Sequence, residues 1–145
     1  MTTTFKDWTE LGNIKGFYQA LADSLNFCTQ KYKAAIIGYV FMPSHIHLLL
    51  AINGKYLSGF MRDFKKYVAQ KIAKDLKIQN KQIWNPRFDR VVIYSENILR
   101  TKLEYIHNNP VKGKLVANPE DWKWSSAVDY FTDRKGVINI RKDSI

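Results

Sequence analysis

The apolar residues of this chain repeat with the period of a helix in some segments and the period of a strand in others. A three- and four-residue spacing predicts helices at about residues 13–31, 56–76 and 96–109. Dense apolar runs at 34–42 and 45–50, a Thr-rich segment at 1–5 and a run of β-forming residues within 83–94 predict strands. The predicted order is strand, helix, strand, strand, helix, strand, helix.

Capping residues and prolines set the predicted boundaries. Asn13 is the candidate N-cap of the first helix, Ser95 caps the third, and Pro110 ends that third helix. Asn118 and the following proline predict a last helix that extends to about residue 131, and residues 137–140 are a candidate strand.

A β-α-β-β-α-β order predicts an α+β fold of the ferredoxin-like (RRM-like) type, with an antiparallel sheet and additional C-terminal helices. The 145 residues fit a single domain over 1–145. Within it we expect a shortened first strand at 1–5 and a C-terminal helix and tail at about 118–145.

The charge of the chain indicates a polyanionic partner. Twenty-three Lys and Arg residues against thirteen Asp and Glu give a net charge of +10, and a small domain this basic favours nucleic acid. The single cysteine excludes an intramolecular disulfide and a Cys-rich zinc site. With neither a signal peptide pattern nor a membrane-length apolar run, we expect a cytoplasmic protein that does not bind membranes.

Two of the three histidines lie in the predicted strand 45–50. Side chains alternate faces along a strand, so His45 and His47 point the same way, about 7 Å apart. Two imidazoles at this spacing can converge on one divalent ion. The tripeptide alone favours a simpler interpretation, in which the two histidines pack beside a half-exposed sheet.

Tyr105 and Asn109 lie one turn apart on the third helix, on a flank about 100° from its apolar stripe. The helix thus presents a phenol and an amide side by side. Taken singly, Tyr105 is also consistent with an aromatic residue at the edge of the core whose hydroxyl is in water. Asn109 is also consistent with a residue that only ends the helix before Pro110.

Three motifs in this order resemble the single-tyrosine HUH transposases, and most closely the REP-associated tyrosine transposases of the IS200-like group. They read Tyr39-Val-Phe-Met-Pro-Ser-His-Ile-His47, Tyr105-Ile-His-Asn-Asn-Pro-Val111 and Pro119-Glu-Asp-Trp-Lys-Trp-Ser-Ser126. The resemblance extends over about residues 34–130.

The resemblance implies metal-dependent cleavage and strand transfer of single-stranded DNA, with hairpin-forming DNA as the expected partner. Tyr105 would be the nucleophile that forms a covalent 5′-phosphotyrosine, and His45, His47 and Asn109 would bind Mg²⁺ or Mn²⁺. The alternatives are a non-catalytic module of the RNA-recognition type, whose signature is absent here, and a domesticated transposase that binds hairpins without cutting. The sequence does not distinguish a monomer from a homodimer.

Basic residues near these motifs are candidates for DNA binding. Once the resemblance is accepted, phosphate contacts are expected at Arg62, Lys65, Lys66, Arg87 and Arg90. His107 is expected to be structural or to contact phosphate rather than metal. Trp122 and Trp124 are expected to pack the last helix rather than to stack on bases.

Overall fold

The structure, a computed structural model, describes residues 2–5, 13–75, 84–89 and 92–142, with side chains for 13–74, 84 and 92–142. Its strands are β1 (Thr2–Phe5), β2 (Ala35–Phe41), β3 (His45–Ala51) and β4 (Trp84–Asp89). Its helices are α1 (Phe17–Tyr32), α2 (Leu57–Asp75), α3 (Glu96–Lys112) and α4 (Ala127–Phe131). Short 3-10 turns lie at Gly54–Tyr56 and Pro119–Asp121.

The four strands form one sheet in the order β2-β3-β1-β4, and every neighbouring pair is antiparallel. This is the strand order of the ferredoxin-like fold, so the fold prediction is confirmed. β1 lies in the centre, where Thr4 pairs with His45 and Thr2 pairs with His47. Pro86 lies in an edge strand, where a missing N–H is tolerated.

The sheet carries a hydrophobic core on each face, because side chains alternate along β2 and β3. Ile46 and Leu48 enter the larger core, which α1 and α2 cover. Leu49 enters a smaller core on the other face, which α3 covers with Leu99, Leu103 and Ile106. The helices contribute to the larger core Phe17, Leu21, Leu25, Phe60, Phe64, Val68 and Ile72. By the same alternation, the face of His45 and His47 is the face covered by α3.

A glycine in β2 lets α3 approach the sheet closely. A Cβ atom at Gly38 would lie 2.4 Å from Leu103 Cδ1, closer than carbon atoms can approach. The pairing of β2 with β3 is irregular between Ile36 and Gly38, so Ile37 and Gly38 both face the smaller core, and the alternation resumes with Tyr39 in the larger one.

The prediction that Pro110 ends the third helix is wrong, because α3 continues to Lys112 with Pro110 inside it. Pro110 is buried, and only one turn follows it, so the missing N–H costs a single intrahelical bond. The Pro110 carbonyl accepts the Leu115 N–H at 2.9 Å, and the Asn109 carbonyl accepts the Gly113 N–H at 2.8 Å. This Schellman-type ending places the left-handed residue at Lys114, with φ 61°.

The prediction of one helix over 118–131 is also wrong. A 3-10 turn is followed by residues 122–126, which form turns and an isolated bridge between Ser125 and Val40, and only Ala127–Phe131 is α-helical. The segment 122–126 bonds to the edge of β2: Phe41 N–H donates to the Trp124 carbonyl at 2.8 Å, and Ser126 N–H donates to the Tyr39 carbonyl at 3.0 Å. These bonds satisfy backbone groups that an open sheet edge would leave exposed.

Two smaller expectations also change. The first helix begins at Phe17 rather than near residue 13, because the left-handed Gly16 (φ 86°), and not Asn13, is its N-cap. Residues 137–140 form no strand, although Ile138 is buried and the Arg141 N–H donates to the Ile36 carbonyl at 2.8 Å. Among the described residues, no helix is long and apolar enough to cross a membrane.

Candidate active site

The helix that carries the candidate nucleophile is fixed at its start by a side-chain cap. Ser95 Oγ accepts the Ile98 N–H at 3.1 Å, and the acidic Glu96 lies in the positive first turn of α3. Leu103 and Ile106 then anchor the helix on the sheet. Tyr105 lies outside that core, with 54% of its surface exposed, so its hydroxyl is not committed to packing.

β3 places the two candidate metal ligands side by side. The centroids of the His45 and His47 rings are 4.9 Å apart, with the rings nearly perpendicular. Both side chains are half-buried, whereas Ile46 between them is fully buried on the opposite face. The strand alternation that the sequence predicted is therefore present.

The structure brings Tyr105 against this pair of histidines. The centroids of the His47 and Tyr105 rings are 5.7 Å apart, at an interplanar angle of 84°. Asn109 is half-buried one turn further along α3. A phenol and two imidazoles from two elements thus border one region of the sheet face, and the Asn109 amide follows the phenol one helical turn along α3.

Both histidines are held in the neutral form near pH 7. Burial lowers the pKa of His47 to about 4, with smaller electrostatic contributions from neighbouring groups that include His45 and Lys102. Burial also lowers the pKa of His45. A neutral imidazole keeps a nitrogen lone pair, which is the form that binds a metal ion.

Ser44 is a site residue that the sequence interpretation did not single out. Its Oγ lies 3.2 Å from His45 Nδ1, and a partner on one ring nitrogen orients the imidazole and leaves Nε2 for a ligand. The signal was present in the sequence, since a hydroxyl residue directly precedes the first histidine of the strand.

The donor set fits a divalent ion, but it carries no negative charge. Within the described part of the chain, no three His, Cys, Asp or Glu residues cluster as a metal site. His45 and His47 offer two nitrogen donors and Asn109 an amide oxygen, a mixture that suits Mn²⁺ and is acceptable for Mg²⁺.

The chain resembles known transposases over these same residues. The family described as "Transposase IS200 like" matches residues 12–109. The chain belongs to the IS200-like transposase family. The matched range contains His45, His47, Tyr105 and Asn109.

Curated relatives of this IS200-like chain carry more specific names. A putative REP-associated tyrosine transposase of Haemophilus influenzae is 32% identical over 123 residues, covering 73% of this chain and 70% of the relative. A REP-associated tyrosine transposase of Escherichia coli is 27% identical over 111 residues, covering 75% of this chain and 64% of the relative. The chain is thus an enzyme of the tyrosine transposase class.

A solved structure shares the fold. The structure of a REP-associated tyrosine transposase bound to a REP hairpin superposes with a TM-score of 0.76 at 23% identity, covering 97% of this chain and 82% of that one. The IS200-like chain therefore has the same architecture, including the elements that follow residue 109.

The basic residues of α2 lie away from Tyr105, because α2 covers the opposite face of the sheet from α3. Arg62 is exposed and contacts Asp63 at 3.3 Å. The Lys65 Nζ lies 5.7 Å from the centroid of the Trp84 ring, and burial lowers the pKa of this lysine. Lys66 is exposed.

The other two basic candidates fall largely outside the described residues. Arg87 belongs to β4, but its side chain lies outside them, and so does Arg90 entirely. DNA contact by all five basic residues stays a prediction.

His107 is structural, which is one of the two roles that the sequence allowed, and Trp122 and Trp124 pack within the fold. His107 is only 4% exposed, and its Nε2 lies 2.7 Å from Ser126 Oγ. Trp122 Nε1 donates to the Phe41 carbonyl at 3.0 Å, and the Trp124 ring packs beside Tyr18. These contacts bind the segment 122–126 to α1 and β2.

Proposed function

We propose that this IS200-like transposase cleaves and rejoins single-stranded DNA through a covalent 5′-phosphotyrosine at Tyr105, with a divalent metal ion as cofactor. The observation that supports this best is the half-exposed Tyr105 ring, 5.7 Å from the His47 ring and beside a second neutral imidazole. A packing role for Tyr105 would not need an exposed phenol next to two neutral histidines.

The proposed step exchanges one phosphodiester for another. Tyr105 Oη attacks the phosphorus and loses its proton, the bond between phosphorus and the 3′ oxygen breaks, and that oxygen takes up a proton. The products are a 5′-phosphotyrosine and a free 3′-hydroxyl. A 3′-hydroxyl of another strand reverses the step, so joining needs no nucleotide triphosphate, because the covalent intermediate conserves the bond energy.

Residues from different elements have different roles in this proposal. α3 supplies the nucleophile, and β3 supplies His45 and His47, which together with Asn109 would bind Mg²⁺ or Mn²⁺. A bound ion would polarise the scissile phosphate and offset its developing charge. Ser44 orients the His45 ring, and burial keeps both imidazoles neutral.

We infer that the substrate is a strand with a hairpin and that the site is complete within one chain. The relatives are named for REP elements, and the solved structure with this fold is described as bound to a REP hairpin. The ring contact between His47 and Tyr105 forms within a single chain, so no second copy is needed to bring the tyrosine to the histidines.

The test is incubation with a hairpin-bearing single-stranded oligonucleotide labelled at its 3′ end, with Mn²⁺ and with chelator as control. We expect a labelled covalent protein–DNA adduct only with Mn²⁺, and peptide mapping should place the linkage on Tyr105. Hairpin binding without any adduct would instead support the domesticated, non-catalytic alternative. Cleavage without an adduct would indicate hydrolysis by water.

A further inference from the structure

We propose that the scissile strand lies along the flank of α3 that carries Tyr105, with Lys102 and Lys112 contacting its phosphates on either side of the nucleophile. This assignment rests on the proposed function. It concerns a surface distinct from the basic residues of α2, and it makes the two lysines positioning residues for the strand.

Helix geometry places these residues on one side of α3. At 100° per residue, Lys102, Tyr105, Asn109 and Lys112 fall within an arc of about 80°. The rise of 1.5 Å per residue puts about 15 Å between the ends of this row. Both lysines and Tyr105 are exposed, and Asn109 is half-buried.

Contacts at the middle and at the end of α3 turn this flank toward the histidines. Tyr105 meets the His47 ring, and the charge of Lys102 is close enough to contribute to the lowered pKa of His47. At the C-terminal end, a Cβ atom at Gly113 would lie 3.3 Å from Met42 Cε, so the end of α3 that follows Lys112 lies near the connection that leads into β3. The row therefore begins beside the histidines and ends near the residues that precede them.

The charges on α3 are divided between its sides. Glu96 and Glu104 project from the other side of the helix, and Glu96 is paired with Arg100 at 3.1 Å. Of the ion pairs found among the described residues, none involves Lys102 or Lys112. A phosphate on this flank would thus meet positive charge without displacing an intramolecular carboxylate.

The experiment compares salt dependence in two matched double variants, both made with Tyr105→Phe so that DNA is bound but not attacked. One carries Lys102→Gln and Lys112→Gln; the control carries Lys55→Gln and Lys74→Gln, which removes two exposed lysines from the α2 side. Affinity for a single-stranded oligonucleotide is measured over a range of salt concentrations, with circular dichroism confirming folding.

The slope of log K against log salt is negative, and we expect the α3 variant to reduce its magnitude by about 1.4, which is about 0.7 for each lost contact on a single strand. The control should keep the slope of the parent, and Lys102→Arg with Lys112→Arg should restore it. Equal slopes in the α3 variant and the control would overturn the proposal.

Adduct formation by the protein with Tyr105 intact separates this inference from the proposed function. An adduct together with unchanged slopes would refute the strand path while the chemistry stands. A reduced slope without any adduct would support the lysines as DNA contacts while the chemistry fails.

Discussion

At the scale of single residues, the site depends on one oxygen atom that packing does not require. Tyr105 makes its ring contact with His47, while its hydroxyl is on an exposed side chain. Tyr105→Phe should therefore abolish the covalent adduct and leave both the affinity for the hairpin and the melting temperature nearly unchanged. Gel analysis of the adduct and a binding titration check this. Persistent strand cleavage in this variant would identify metal-bound water as the nucleophile.

Ser44 permits a second test at this scale. Because its hydroxyl contacts His45 Nδ1, Ser44→Ala should weaken Mn²⁺ binding or activity by about 10- to 100-fold, the usual effect of losing an outer partner of a ligand. Ser44→Thr keeps the hydroxyl and should recover most of the loss. Ser58→Ala, on exposed surface of α2, is the control. Electron paramagnetic resonance of bound Mn²⁺ measures the effect, and equal affinities in all three proteins would contradict it.

The sequence located the site because its geometry is local. Residues that are two apart on a strand, or four apart on a helix, share one side of their element in any fold. The contact between His47 and Tyr105 joins residues far apart in the chain, so the resemblance suggested it and only tertiary structure displays it. The hydroxyl of Ser44 beside His45 is visible in the sequence, but its contact with Nδ1 depends on the ring orientation of His45, which only the folded structure defines.

At the scale of elements, local signals failed where tertiary contacts outweigh them. Pro110 predicts a helix end, but burial and the Leu115 N–H bonded to its carbonyl keep the last turn helical. Asn118 predicts a helix start, but the residues that follow the 3-10 turn form backbone hydrogen bonds with the edge of β2 instead of with one another. The order of elements from β1 to α3, by contrast, was predicted correctly, mostly from the periodicity of the apolar residues.

The junction between α3 and the segment 122–126 makes stability depend on pH. Burial lowers the pKa of His107 from 6.5 to about 4. The unfolded chain therefore binds a proton at higher pH than the folded one. Above about pH 6.5, His107 is neutral in both states and the free energy of unfolding is at its full value. As the pH falls toward 4, only the unfolded chain takes up the proton, so the free energy of unfolding falls.

We expect His107 alone to remove up to about 3 kcal/mol of the free energy of unfolding across that range. His107→Gln retains a polar group for Ser126 and cannot titrate, so its stability should fall less between pH 7 and pH 4. Urea denaturation of both proteins, in chelator so that no metal contributes, measures the difference. Parallel pH profiles would show that His107 is not responsible.

The exposed basic side of α2 poses a separate question, because the sheet separates it from Tyr105. If Arg62 and Lys66 contact the DNA backbone, Arg62→Ala with Lys66→Ala should weaken binding to all sequences. It should also reduce the magnitude of the slope of log K against log salt by about 0.7 for each lost single-strand contact. Lys65 is left in place because it lies beside the Trp84 ring. An unaltered slope would mean that this side of α2 is only solvated surface.

At the scale of the whole molecule, positive charge exceeds negative charge by 10, and the proposed metal donors are all neutral. A divalent ion would therefore add charge to an already basic protein, with nothing at His45, His47 or Asn109 to balance it. A DNA phosphate supplies that balance. We infer that metal and DNA bind cooperatively, each favouring the other.

Linkage makes this inference quantitative, because the factor by which DNA tightens Mn²⁺ binding must equal the factor by which Mn²⁺ tightens DNA binding. We expect that factor to be about 5- to 150-fold, the usual range for coupled sites. Calorimetric titrations of the Tyr105→Phe protein, with Mn²⁺ in the presence and absence of hairpin DNA and then in the reverse order, give both values. His47→Ala in the same background should reduce the factor to one while DNA alone still binds. Equal Mn²⁺ affinity with and without DNA would show that the charge of the phosphate does not reach the metal ligands, and the placement of the scissile phosphate between Tyr105 and the histidines would then be wrong.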